Sequence, residues 1–385
     1  MKNGWERKPF ENCIEPVVYT RKVQRKDFLN EGQFPIVSQE AEFTNGYWND
    51  EADVFKVSTP VVIFGDHTQV LKYVDFDFVL GADGVKILQP RSFLRPKFLF
   101  YQLQAAELAS LGYARHYRLL KELEIKVPPL PEQQRIVGLL DETFSGIATA
   151  QANAGKNLQN ARSLFESHLQ SVFTQRGAKW DRVTLQTLLD RRWIECHLDG
   201  NHGSDYPRKD EFISVGVPYI SANCLDDEHI DMSRAKYLSP SRAAQLRKGI
   251  AKDNDVLFAH NATVGPVAIL HTDEEKVILG TSLTYYRCDP KHILPEYLAH
   301  YMRSFGFKSQ YLQVMKQSTR NQVPITKQRE FFHVIPPLEE QKLIVGALDG
   351  LLENGQRLAH IYERKLAALE ALKKSLLHQA FTGEL

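Results

Sequence analysis

Nowhere in the sequence do apolar residues run for the ~18 consecutive positions a membrane helix needs, which excludes a helical membrane-spanning protein. Cysteine is scarce. Cys13, Cys196, Cys224 and Cys288 lie far apart and form no Cys-x-x-Cys pair, which argues against both a disulfide framework and a zinc site, so reduced, structural cysteines are expected. An excess of one charge is missing as well: 48 Lys and Arg stand against 47 Asp and Glu, a formal charge of +1. That balance counts against a nucleic-acid-binding protein that works alone, and any such argument must rest on local charge. The opening residues, Gly4-Trp5-Glu6-Arg7 among them, include basic residues but no apolar run behind them, so no secretory signal is expected and the cytoplasm is the expected location.

Catalytic signatures are lacking too. The chain has no glycine-rich methyl-donor loop after a first strand with an Asn/Asp-Pro-Pro-aromatic turn, and no Gly-x4-Gly-Lys-Ser/Thr phosphate loop. Gly155-Lys156-Asn157 fails both the spacing and the hydroxyl that a phosphate loop requires. His-Glu-x-x-His is absent, and the 13 histidines show no clear metal-ligand spacing; no metal ligand is expected. Asp75 or Asp77 with Glu124 and Lys126 could supply a metal-dependent nuclease, but such a pattern arises cheaply by chance. The expectation is a chain that does no chemistry itself.

What is present is 385 residues, 43% apolar and 25% charged, the composition of a globular protein long enough for two domains with sizeable cores. An internal repeat organises them. Pro128-Pro129-Leu130-Pro131-Glu132-Gln133-Gln134-Arg135-Ile136-Val137-Gly138 returns at an offset of 208 as Pro336-Pro337-Leu338-Glu339-Glu340-Gln341-Lys342-Leu343-Ile344-Val345-Gly346, and the match continues ungapped to Phe173-Thr174 and Phe381-Thr382. A weaker echo pairs Gly4-Trp5-Glu6-Arg7 with Lys179-Trp180-Asp181-Arg182.

The Pro-Pro pair fixes an extended approach, and the acidic residues that follow suit the first turn of a helix. Downstream, Leu140, Phe144, Ile147, Gln151, Ala154, Leu158, Ala161, Phe165, His168 and Val172 alternate in steps of four and three, which is one seam of a coiled coil. The second copy presents Leu348, Leu352, Gly355, Ala359, Tyr362, Leu366, Leu369, Lys373, Leu376 and Ala380. Gly155 and Gly355 should weaken the helices by roughly 1 kcal/mol each. Chain order predicts antiparallel packing of the two, with a pseudo-twofold relation between the halves that suits two separated half-sites on DNA. From periodicity alone, a merely duplicated helical scaffold is equally good.

Residues 1–127 and 178–335 carry short apolar runs with turn punctuation, as strands do: 61–64, 70–74 and 85–88 in the first half, 256–259, 267–270 and 283–286 in the second. Helical patterns follow at 95–111 and 295–315, so both halves are predicted to be α+β. Residues 84–126 hold Lys86, Arg91, Arg95, Lys97, Arg115, Arg118, Lys121 and Lys126 against three glutamates, and residues 300–330 hold Arg303, Lys308, Lys316, Arg320, Lys327 and Arg329 against Glu330 alone. Such clusters serve phosphate contacts, although a solvated basic face is the commoner outcome for any one of them.

The best candidates for reading base edges are Arg115-His116 with Arg118, and Ser318-Thr319-Arg320-Asn321-Gln322, with Lys327 close behind. The turn Gly65-Asp66-His67-Thr68, with Lys72, Asp83 and Lys86 near it, is expected to face DNA; equally, Asp66, His67 and Asp83 could simply cap turns. Asn261 and Thr263 occupy the comparable turn of the second half.

At Pro-Pro-Leu-x-Glu-Gln-x-x-Ile-Val before each long helix, and at Leu376-Leu377-His378-Gln379-Ala380-Phe381-Thr382-Gly383-Glu384-Leu385, the sequence resembles the specificity subunit of type I restriction-modification systems over its whole length. The segments Gly81-Ala82-Asp83-Gly84-Val85-Lys86 and Ser318 to Pro324 also look like ones recurring in that family's recognition domains.

The resemblance implies target recognition domains at 1–127 and 178–335, each reading half of a split DNA site, and conserved spacer helices at 128–177 and 336–385 that set the distance between them. It implies partners: two methyltransferase (modification) subunits that use S-adenosylmethionine, and restriction/translocase subunits that use ATP and Mg, with none of these cofactors bound by this chain. The first half departs from the pattern. It has Tyr113-Ala114-Arg115-His116-Tyr117 where the second has the Ser-Thr-Arg-Asn-Gln run, so roles cannot be copied between halves. A stand-alone DNA-binding protein and a nuclease remain the rival readings.

Overall fold

The computed structural model describes residues 4–82, 84–112, 114–175, 177, 179–226, 229–317 and 321–385, apart from the Ser204 side chain. Its contacts divide the chain into two units. The first is residues 1–156 with 362–385, and the second is residues 157–361.

In the first unit, strand Glu6–Pro9 pairs antiparallel with Glu124–Val127, which seats the start of the chain beside the approach to the first long helix. A four-stranded antiparallel sheet runs in the order Ile14–Glu15, Val85–Pro90, Val61–Gly65, Leu71–Val74. A second sheet is mixed: Phe78–Gly81 lies parallel to both Lys22–Val23 and Phe34–Val37 and antiparallel to Val54–Phe55, while Phe34–Val37 also pairs with Gly46–Trp48. Helix Pro96–Ala105 covers the first sheet through Phe98 and Leu99, both fully buried.

The second unit repeats this plan. Asp181–Thr184 pairs with Phe332–Ile335, and the antiparallel sheet runs Ile194–Asp199, Leu283–Cys288, Val256–Asn261, Thr263–Ile269. The mixed sheet again contains a parallel pair, Val217–Ile220 with Val277–Leu279. The single helical pattern expected over 295–315 is two helices, Pro295–Arg303 and Phe305–Lys316, broken where Ser304 takes an extended backbone (ψ 157°). The pattern expected over 95–111 ends early, at Ala105.

The long helices span Leu130–Thr174 and Leu338–Thr382, 45 residues each. In the first unit the start of one meets the end of the other: Leu140, Phe144 and Ile136 share a core with Leu376, Leu377 and Phe381. In the second, Phe165, Leu169 and Phe173 share a core with Leu348 and Leu352. Both pairings are antiparallel.

Ile147, Ala154, Ala161 and Phe165 are buried along the expected seam, and Phe144, Leu158, Leu352, Tyr362, Leu366 and Leu369 are half-buried. Near the ends the seam moves by one residue. His168 is exposed, whereas Leu169 and Phe173 are buried, as are Leu377 and Phe381 in the second helix. A straight helix of 3.6 residues per turn drifts off a 3.5-residue repeat, and the recognition cores take up the drift. Gly355 has a purpose beyond weakening its helix: a Cβ there would stand 3.2 Å from the Ala161 carbonyl oxygen, while one at Gly155 would meet nothing within 4 Å.

Each helix start is locked to its globular unit by a fully buried glutamine. Gln133 donates from Nε2 to the Phe93 and Pro128 carbonyls (2.9 and 2.8 Å) and accepts from the Arg95 N–H (2.8 Å). Gln341 makes the same three bonds, to the His292 and Pro336 carbonyls and from the Leu294 N–H (2.8, 2.9 and 2.9 Å). About two turns later Asp141 accepts from Tyr101 Oη and from Lys97 (2.8 Å), and Asp349 accepts from His300 Nε2 (2.7 Å). The repeated Glu-Gln is therefore a joint as well as a helix start.

Candidate nucleic-acid interface

The site in the first unit is built at one end of the antiparallel sheet. Strand Val61–Gly65 passes into Asp66, whose N–H donates to the Gly84 carbonyl (2.7 Å) and whose carbonyl accepts from the His116 N–H (2.7 Å). This draws the 65–69 turn, the 84–86 segment and residues 114–118 into one cluster. The Asp66 carboxylate accepts from the Tyr117 N–H (2.8 Å) at the start of helix Tyr117–Lys121. His116 receives the Leu111 N–H on Nε2 and donates from Nδ1 to the Asp66 carbonyl, both at 3.0 Å; a ring that accepts on one nitrogen and donates on the other is the neutral tautomer.

Several candidates for base contact are thereby corrected. Asp66 and His116 are buried and wholly engaged in holding the cluster together. Lys72 is buried as well. Its ammonium donates to the Glu42 and Phe43 carbonyls and to Asn45 Oδ1, and burial lowers its pKa from the ordinary lysine value; it braces the 42–45 loop. Gly65 is buried and leaves room for neighbouring side chains, since a Cβ there would lie 2.2 Å from Thr68 Oγ1 and 2.9 Å from Gln39 Cβ.

Thr68 stays exposed while its hydroxyl donates to the Gln39 carbonyl (2.6 Å), and half-buried His67 donates its N–H to Gln39 Oε1 (3.2 Å). Lys86 lies over the Tyr117 ring at 5.2 Å and 4.0 Å from the Asp66 carboxylate. Arg115 and Arg118 are exposed beside it. Asp83 lies outside the described residues.

The second unit makes the same joint with different residues. The His260 N–H donates to the Ser282 carbonyl (2.9 Å), and the His260 carbonyl accepts from the Val323 N–H (2.8 Å). His260 Nδ1 donates to the Val323 carbonyl (3.0 Å), and burial lowers the pKa of this histidine. Asn261 bridges antiparallel to Gln322, and the Ala262 N–H donates to the Asn321 carbonyl (3.1 Å). Asn261 Oδ1 accepts from the Ala262 N–H (2.9 Å), and Asn321 Nδ2 donates to the Ala262 carbonyl (2.5 Å), so both amides support the turn.

Thr263 is exposed and Gln322 half-buried at its rim. Lys327 is exposed but paired with Glu330 (3.0 Å), and Ser318, Thr319 and Arg320 lie outside the described residues. Behind the turn, fully buried Gln328 takes three donors on Oε1, from Tyr286, Thr284 and His197 (3.0, 3.0 and 3.1 Å), and donates to the Val323 carbonyl (3.2 Å).

The nuclease set does not assemble. Asp77 accepts from the Val57 N–H (2.8 Å) and pairs with Lys56, Glu124 pairs with Arg7, and Lys126 donates to the Phe381 carbonyl. No group of three metal-binding side chains occurs among the described residues, and no helix among them is long and apolar enough to cross a membrane.

Gln39 is the residue that sequence reasoning missed. Its signal was the echo of Pro35-Ile36-Val37-Ser38 in Pro218-Tyr219-Ile220-Ser221, an interior strand of each mixed sheet, which ends at the cluster.

One frame built twice, with unlike polar residues at each sheet end, defines a two-headed recognition protein. The chain belongs to the type I restriction modification DNA specificity domain family, whose model matches residues 14–154 and 196–363. It is similar to three specificity subunits of type I restriction enzymes from Escherichia coli. Identity to the EcoBI subunit is 22% over 285 residues, 70% of this chain and 60% of that protein's length. The EcoR124I/EcoR124II subunit is 24% identical over 354 residues (85% and 81%), and the EcoKI subunit of strain K12 is 22% identical over 422 residues (100% and 90%).

The fold is shared with the HsdS subunit from Thermoanaerobacter tengcongensis (TM-score 0.60, 21% identity, 100% and 98% of the chains). It is also shared with a chain from a structural study of assembly and conformational transition in the type I R-M system (TM-score 0.71, 20% identity, 100% and 99%).

Proposed function

We propose that this chain supplies DNA-sequence specificity to a type I restriction-modification enzyme and does no chemistry itself. The observation that carries the reading is the pair of equivalent sheet-end clusters with unlike polar residues: Thr68, Lys86, Arg115 and Arg118 in one unit, Asn261, Thr263, Asn321 and Gln322 in the other. Each reads one half of a bipartite site, with the arginines on phosphates or guanine edges. The recognition domains are residues 1–127 and 178–335, and the helical segments 128–177 and 336–385 set the spacer.

Two methyltransferase subunits dock on the helices, whose outward faces carry exposed Leu139 and Leu372 in the first unit and Leu164, Leu343 and Ile361 in the second. S-adenosylmethionine, ATP and Mg act on the methyltransferase and restriction/translocase subunits. The complex works on DNA in the cytoplasm.

The test is co-expression with the modification subunit and mapping of methylated adenines across the genome. A split motif that depends on this chain is the expected result. A stable complex with no motif would overturn the reading, and tight, sequence-specific binding by the chain alone would replace it with a stand-alone DNA-binding role.

A further inference from the structure

The two units fill the same space at the sheet end in opposite ways. By strand register and hydrogen bonding, Gly65 and Gly84 of the first unit correspond to Ala259 and Ser282 of the second. Val85 pairs with Gly65 as Leu283 pairs with Ala259, and the next N–H along, Asp66 or His260, bonds to the carbonyl of Gly84 or Ser282. Gln39, the second residue past its strand, corresponds to Ala222. A Cβ on Gly84 (φ +91°) would lie 2.4 Å from Gln39 Oε1 and 2.9 Å from Nε2. In the second unit, Ser282 instead reaches Ala222 and accepts its N–H on Oγ (2.9 Å). A large side chain over glycine in one unit is exchanged for alanine beside serine in the other.

We propose that Gln39 is a specificity-determining residue of the first unit and reads an adenine. This rests on the recognition role proposed above. The carboxamide accepts the His67 N–H on Oε1 (3.2 Å), and the Gln39 backbone is held by Thr68 Oγ1, which donates to its carbonyl (2.6 Å). Its Nε2 has no hydrogen-bond partner among the described residues, and Oε1 keeps a second lone pair. An amide so placed presents one donor and one acceptor, the pair that matches N7 and N6–H of adenine in the major groove. The glycines of the turn, Gly65 and Gly84, make room for this side chain.

The test uses the complex with its modification subunits and a library of randomised sites, read as relative binding at every base position. Gln39→Glu keeps an acceptor for the His67 N–H and removes the amide donor; Gln39→Ala removes both, and melting of each variant reports the fold. The expected result is a roughly ten- to hundredfold loss of preference for adenine at one position of one half-site, with Gln39→Glu moving toward cytosine and the other half-site unchanged. A wild-type complex with no base preference overturns the recognition role and this inference together. A wild-type motif that survives in both variants overturns the inference alone. So does a uniform loss across all positions in Gln39→Glu, which would mark Gln39 as a support for the turn.

Discussion

The two units agree where backbone meets scaffold and differ where side chains meet solvent. Gln133 and Gln341 make the same three hydrogen bonds, and the Asp66 and His260 joints use the same backbone atoms. Yet the histidine that braces each joint comes from opposite strands. His116 reaches from the later segment to the Asp66 carbonyl, and His260 reaches from the sheet to the Val323 carbonyl. Backbone pairing preserves an architecture while leaving the neighbouring side chains free to diverge, which a protein with two independent readers requires.

The strongest way to break the equivalence is to remove one clamp at a time. Gln133→Ala or Gln341→Ala strands two carbonyls and one N–H in a buried joint, and at ~1–3 kcal/mol per unsatisfied group the loss should be about 3 kcal/mol or more. Hydrogen exchange should rise near 93–99 and 128–133 in the first variant, and near 292–298 and 336–341 in the second. Protection lost in both units from either variant would show that the joints are not independent.

Acid should separate the units next. Burial holds the His197 pKa down at about 3 and that of His333 at about 4, so the unfolded chain, with ordinary histidines near 6.5, binds protons first. Their contribution is fully present above about pH 6.5 and is lost as the pH falls toward 4. At pH 5 each costs about 2 kcal/mol. Melting between pH 7 and 5 should show the second unit weakening, and His333→Phe should flatten that slope; an unchanged slope would remove His333 from the account.

Smaller effects concern charge and helix packing. Arg115→Ala and Arg118→Ala should each reduce the salt dependence of DNA binding by about one phosphate contact, and a sequence-selective loss would assign that arginine to a base. Gly155→Ala should stabilise the first long helix by up to about 1 kcal/mol. Gly355→Ala, facing the Ala161 carbonyl, should forfeit that gain, and equal melting shifts in the two would contradict the close approach.

Much of the frame was legible because it is periodic or repeated. The 208-residue offset marks both long helices, the four-three spacing marks their seam, and the strands at 61–65 and 256–261 announce themselves as apolar runs between turns. The mixed sheets were not legible. Their strands are two to four residues long and pair in parallel across wide gaps, as Lys22–Val23 does with Leu80–Gly81. At the sheet ends, residue type did not reveal burial: a lysine beside a glycine turn suggests a phosphate contact, but Lys72 points inward to three oxygens. Asp66 and His116 were singled out separately, one in the 65–68 turn and the other beside Arg115, rather than as the two sides of one joint.

The first unit takes in residues 362–385 as well as 1–156, so on the ribosome the earlier-begun of the two units is the later to close. Phe98 must wait for Phe381, its ring neighbour at 5.2 Å, while the 205 intervening residues of the other unit are made. At ~5–20 residues per second that is about 10–40 s, during which an apolar face built for the chain's own end stands open to any other helix.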